Sequence, residues 1–476
     1  MEYSKSQIDT FDREEVFLAR VGAYSWQDLR GKMGSVGRLF DTGEEVRLPK
    51  KTDIGGFGPP PLVSLAHLTA LRFLWHDIAD LIAFEDLPSA CNTNHRSDLT
   101  DIAVANLRSA PFSLASVYGE TNLAGELSRR LEHTLRWPWE RDRMWLGYKG
   151  QDVLRLAAII WDDRAPLSEA FFDNLPQHLR AQFWQDGDLA GQTAIIPEPR
   201  NEYSLLTSQF HAAVLAMHNT FVSQGERLSK RPDNLFQHAQ FLTRRGFHAT
   251  ILGDVVPRFC HPDSITTALV RRAEQYQARA NHLGATFLPI EAAAVFELLL
   301  GQSEPTRLFP NMSRFLSGRP LRRDQFKGTE NRLPLGLMAS PRIPTRLSAD
   351  VLIDWALVIA SDVGEPITTF TLPRYLHDIY LASGQSAARL LGLPVLGPAD
   401  VASVLKEQQG KATPLTDYLV AESILLAKNG RLGPLGSFIL AETLVGLLGG
   451  DMSHLRSETH RRLDSFLGVE RQRVFK

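Results

Sequence analysis

The chain has 476 residues, about three times the ~150 of a typical domain, so one large domain or two to three ordinary ones fit. Apolar residues make up 43% and charged residues 22%, which excludes intrinsic disorder, collagen and coiled coil as global descriptions. Lys+Arg number 52 against Asp+Glu 54, a formal net charge of -2, so no global electrostatic footprint for nucleic acid or a membrane surface exists. Cys91 and Cys260 are the only cysteines. They cannot build a disulfide scaffold or a four-sulfur zinc site, and read as buried free thiols or a single bridge.

The N-terminal run Met1–Glu15 is polar and acidic and lacks the apolar core of a signal peptide. The first strong periodicity is Leu62–Phe84, where Leu65, Leu68, Leu71, Trp75, Ile78 and Ile82 recur at steps of three and four and predict an amphipathic helix. Pro59, Pro60 and Pro61 precede it, where a helix can start. Ser204–Val222 is a second strong helix, with Leu206, Phe210, Val214, Met217 and Phe221 on its stripe. Further helices are predicted over Leu235–Gly253, Ser264–Leu283, Ile290–Leu300, Ala349–Ala360, Pro398–Gln408, Leu415–Lys428 and Leu435–Leu448. Strand signals are confined to Glu45–Leu48 and Phe370–Leu372 and are weak. Arg136–Gly150 and Ser303–Pro344 read as long irregular connections rich in Pro, Gly and Arg.

The expected fold class is therefore mostly α. It is one large helical domain over residues 59–460, with an N-terminal extension at 1–58 and a C-terminal tail at 461–476. The most apolar stretches, Leu288–Gly301 and Leu435–Gly450, are interrupted by Glu291, Glu297 and Glu442. They fall short of the ~20 apolar residues of a membrane span. A cytoplasmic protein with a small-molecule substrate, no nucleic acid and no membrane span is the expectation.

Common catalytic motifs are missing. Gly55-Gly56-Phe57-Gly58 leads into prolines rather than Lys-Ser/Thr, and neither His-Glu-x-x-His nor Gly-x-Ser-x-Gly occurs. Three constellations remain. His76, in Trp75-His76-Asp77, lies one step of ~100° from the apolar stripe. It is either a core-edge histidine bonded to a carbonyl or a side chain projecting into a cavity. Arg200 sits at a helix entry stiffened by Pro197 and Pro199, and is either a surface arginine or a rigidly placed charge. His211 and His218, seven apart, share one side of a helix. They can bind a metal or make structural hydrogen bonds, and the i, i+4 spacing of a helical metal pair is absent.

Arg200–Asn219 resembles the animal-type haem peroxidases, the myeloperoxidase and cyclooxygenase superfamily, and especially their bacterial relatives. Arg200, Asn201, Ser208, Gln209, His211, His218 and Asn219 carry the likeness. In chain order it extends to Phe73–Asp77, Ser116–Gly119, Gly253–Pro257, Ser383–Gln385, Thr413–Leu415 and Leu432–Gly436, spanning roughly residues 60–450. The resemblance implies a haem as cofactor, His76 as the distal acid–base residue and Arg200 as its charge-stabilising partner. It places Gln302, in Gly301-Gln302-Ser303, where the family has its axial histidine, and His248 where relatives often carry glutamine. Arg374–Tyr380 lacks the asparagine run that supports that histidine, and His282 and His377 flank the altered regions. Asp77 corresponds to a calcium-binding aspartate, but Ser113 and Ala115 stand at the other ligand positions, so calcium is not expected. Trp75 and Tyr203 replace the carboxylates of covalent haem attachment. Three functions follow: a peroxidase-like oxidoreductase, a haem-free relative with a remodelled site, or a partner-binding scaffold.

Overall fold

The computed structural model describes residues 63–79, 112–119, 141–147, 152–154, 184–185, 188–189, 194–202, 205–228, 232–261, 264–265, 267–268, 273, 288–301, 353–360, 383–405, 413–427, 431–448, 462–467 and 469. The described residues are mostly helical, as the periodicity predicts. The helices are α1 (Leu65–Ile78), α2 (Ala115–Tyr118), α3 (Leu205–Glu226), α4 (Leu235–Thr250), α5 (Ile290–Gly301), α6 (Trp355–Ala360), α7 (Gly384–Leu390), α8 (Pro398–Leu405), α9 (Leu415–Leu426), α10 (Pro434–Leu447) and α11 (Leu463–Phe466). Among the described residues one antiparallel strand pair joins Trp184 with Leu189 and Gln185 with Asp188. The expected strands Glu45–Leu48 and Phe370–Leu372 lie outside the described residues, as do Gln302, His282 and His377.

Helix α1 is the centre of the packing. Every residue in it except Arg72 is buried, so it is enclosed on all sides rather than amphipathic. It packs against α3, α5, α6 and the turn that follows α4. Phe73, fully buried, meets Phe210 of α3 at 5.0 Å between ring centroids and Phe247 of α4 edge-on at 5.8 Å. Trp75 stacks on Phe296 of α5 at 4.8 Å. The helix is shorter than the 62–84 that its stripe suggests. Ser64 is its N-cap, and Ala79 at φ -126°, ψ 126° ends it at Ile78. At the start, His67 Nδ1 accepts the Ser64 N–H at 3.2 Å and lies 2.6 Å from Ser64 Oγ. The other ring nitrogen lies 3.7 Å from the Asp254 carboxylate.

Helix α4 does not run on to Gly253 as a regular helix. It widens into a π-turn at Ile251–Val255, then a 3-10 turn at Val256–Arg258 that carries Pro257 near its start. Asp254, on that turn, also binds Arg258 at 2.7 Å and accepts the Leu463 N–H at 2.9 Å. Helix α11 thereby packs into the core: Phe466 is 1% exposed and lies against Phe210 and Phe247.

Toward the C-terminus, α7, α9 and α10 approach closely. At Gly384 a Cβ would collide with the Tyr418 ring, and at Gly433 with the Glu422 side chain. Gly433 lets Glu422, fully buried on α9, cap α10 by accepting the Leu435 N–H at 3.0 to 3.1 Å.

Truncating the ring at the meeting point of α1, α3 and α4 has a definite cost. Phe73→Ala is expected to lower unfolding free energy by about 3–5 kcal/mol, read as a lower urea midpoint at unchanged slope. A loss under about 1 kcal/mol would contradict the central place of α1.

Candidate functional site

The residues singled out at the end of α1 and before α3 come together. Pro199–Glu202 form a 3-10 turn that delivers two consecutive side chains to one point. Asn201 Oδ1 lies 2.9 Å from His76 Nδ1, across 125 positions of sequence. Arg200 Nη2 donates to the carbonyls of His76, at 3.0 Å, and Ala79, at 2.6 Å. These are among the last carbonyls of α1, which have no partner inside the helix, and a guanidinium there also complements the helix dipole.

Arg200 is itself held. Its Nε donates to Glu198 Oε1 at 2.9 Å and its Nη2 to Oε2 at 2.8 Å, a two-point grip. The Arg200 backbone N–H bonds the same carboxylate at 2.9 Å. Glu198 is buried, so the pair is largely desolvated on the acid side. Sequence alone does not single out Glu198. Its spacing of two from Arg200, across Pro199, is the signal that could have marked it as the arginine's anchor.

A second imidazole joins the group. Asn201 Nδ2 lies 3.2 Å from Nδ1 of His211 on α3, so one buried amide bridges two buried histidines. Burial is the main cause that lowers both rings to about 3, with the Arg200 charge adding to it at His76. Both are neutral at pH 7. His218 has a different environment from His211: Tyr118 Oη lies 3.0 Å from its Nδ1 and the Asp142 carbonyl 3.0 Å from its Nε2. The two histidines of α3 do not face a common ligand.

Asp77 is the hub of the 112–119 turn. Its carboxylate accepts the Leu114 N–H at 3.0 Å, the Ser116 N–H at 3.0 Å and the Ser116 hydroxyl at 2.8 Å. These bonds support Phe112 and Leu114 at φ 61° and 58°, uncommon for residues other than glycine. Arg244 Nε donates to the Ser113 carbonyl at 2.6 Å, placing a cation of the protein's own beside this turn. Among the described residues no group of three or more His, Cys, Asp or Glu is arranged to hold a metal ion.

His248, on α4, points at the same turn. Its Nε2 lies 2.7 Å from the Phe112 carbonyl and its ring packs on Phe112 at 4.6 Å. A haem would need an axial donor. An imidazole and a guanidinium side by side, His76 and Arg200, are compatible in kind with such a group. The other buried imidazoles in the described residues, His67, His211, His218 and His248, are hydrogen-bonded into the scaffold.

No protein-family model matches the chain, and no curated protein matches it. Among solved structures, the fatty acid alpha-dioxygenase of Oryza sativa aligns with a TM-score of 0.42 and 12% identity. The alignment covers 88% of this chain and 76% of that one.

The buried ionisable groups set an optimum of stability. In the unfolded chain, histidines take up protons below pH ~6.5. Folded His76 and His211 resist until about 3, so stability falls as pH drops through that window. Glu422 acts oppositely. Burial raises it to about 8, so its contribution is present below ~4.5 and is lost as pH rises through 8. Each group contributes on the order of 1 kcal/mol per pH unit in its window. Thermal melts across pH 4–9 are expected to peak at about 6.5, and Glu422→Gln to flatten the alkaline limb; a monotonic rise to pH 9 would contradict these assignments.

Proposed function

We propose that the chain is a divergent haem-peroxidase-like oxidoreductase, oxidising a small organic substrate with peroxide or oxygen at a site built on His76 and Arg200. The observation that carries this reading is the double delivery from Pro199–Glu202: Asn201 to the His76 ring and Arg200 to the His76 carbonyl. A merely structural arginine would satisfy the helix end. It would not need its neighbour to orient a neutral imidazole as well. The order of motifs along the chain supports the same reading. We further propose that residues 59–460 carry this function as one helical domain, and that the protein is cytoplasmic.

In this proposal His76 does the proton work. Neutral at pH 7, it takes a proton from a bound O–H group and returns it to the departing oxygen. Arg200 supplies positive charge beside it, in a plane fixed by Glu198 and two helix carbonyls, so no reorientation is needed as charge develops. A bound haem would supply the redox chemistry, and Gln302 or His248 would hold it; His248 would first have to leave the Phe112 carbonyl.

A second reading is favoured by that last observation and by the Trp75–Phe296 stack between α1 and α5. Here the site is haem-free, and His76 and Arg200 serve acid–base chemistry or the binding of a small anionic molecule.

Expression with a haem precursor separates the two. The first reading expects a Soret band and peroxide-dependent oxidation that falls about 100- to 10,000-fold in His76→Ala. A colourless protein whose properties ignore added haem would rule it out and leave the second.

A further inference from the structure

We infer that Asn201 is a positioning residue: its amide carbonyl holds His76 in the Nδ1–H tautomer, placing the basic lone pair on Nε2, and its amide nitrogen couples that choice to His211. The argument starts from the asparagine side chain, which accepts at one end and donates at the other. The accepting end is 2.9 Å from His76 Nδ1, so that nitrogen carries the proton. The donating end is 3.2 Å from His211 Nδ1, so that nitrogen carries a lone pair, and the His211 proton sits on Nε2.

The amide has little freedom to depart from this arrangement. Asn201 is fully buried, and its backbone N–H is tied to the Glu198 carbonyl at 3.0 Å. Rotating the amide by half a turn would put donor against donor at His76 unless both rings exchanged tautomers together. The two histidines and the asparagine therefore act as one unit. Among the described residues His211 Nε2 is buried without a hydrogen-bond partner, beside the Phe73 ring, which stands perpendicular at 5.9 Å. A second proton on His211 would place a charge in that apolar setting, so His211 stays neutral and changes tautomer only together with the amide and His76. The charged groups acting on His76 are Arg200, Glu198 and Arg72. Tautomer control of this kind decides which ring nitrogen can work as a base.

The inference rests on the proposed function only in naming His76 as the reacting base; the tautomer itself is a property of the resting protein. Full-length protein labelled with 15N-histidine gives the test through long-range 1H–15N correlation at neutral pH, His76 being assigned from the signal lost in His76→Gln. The expected spectrum has protonated Nδ1 and pyridine-like Nε2 for His76, and the reverse for His211. Asn201→Asp places an acceptor against both rings. It should switch His211 to Nδ1–H and raise the His76 midpoint by about one pH unit or more, a shift that simple loosening of the fold does not produce. A wild-type His76 carrying its proton on Nε2 would overturn the inference, as would unchanged ring signals in Asn201→Asp. If the tautomers are as stated but peroxide turnover is absent, the assignment of Asn201 stands and the oxidoreductase reading falls.

Discussion

The structure turns on how the last turn of α1 is held. A helix buried on every side has nowhere to send its final carbonyls, because water cannot reach them. Arg200 meets this need at His76 and Ala79, and a buried Glu198 fixes the arginine in turn. Each bond alone contributes about 1 kcal/mol net. Their combined effect is larger in consequence than in energy, since leaving any of these groups unpaired in the interior is costly. The same grip fixes the register between α1 and the start of α3, and with it the position of His76.

Three consecutive residues of α1 then serve three neighbours. Successive side chains on a helix diverge by ~100°, so Trp75, His76 and Asp77 point in different directions. Trp75 stacks on Phe296 of α5, His76 meets Asn201 before α3, and Asp77 anchors the 112–119 turn. That turn is also held from α4 by Arg244 and His248. One short stretch of sequence thus joins the elements around the candidate site, which is why so few residues suffice to define it.

Helical periodicity made most of the architecture legible. The stripes at Leu62–Phe84 and Ser204–Val222 correspond to α1 and α3, with ends displaced by a few residues. The misplaced end of α1 has a local cause: Ala79 turns extended although apolar residues continue. The short helix at Leu463–Phe466 was not legible because four residues of helix give no period to read, while Phe466 packs through its single ring. At the site, residue type and motif order singled out His76 and Arg200. The partners Glu198 and His211 were not legible as such. Pairing across a turn, or through a bridging amide, depends on side-chain geometry that spacing does not encode. His248 lies on the expected helix, yet its direction toward Phe112 follows from the uncommon backbone of a turn far away in sequence.

The claim beneath the whole account is that His76 and Asn201 are one interacting unit. A double-mutant cycle on unfolding free energy, using His76→Ala, Asn201→Ala and the pair, measures that directly. Coupling of about 0.5–3 kcal/mol is predicted for residues sharing a buried hydrogen bond. Additive effects within about 0.3 kcal/mol would mean that the two side chains do not meet, and the site would have to be drawn elsewhere.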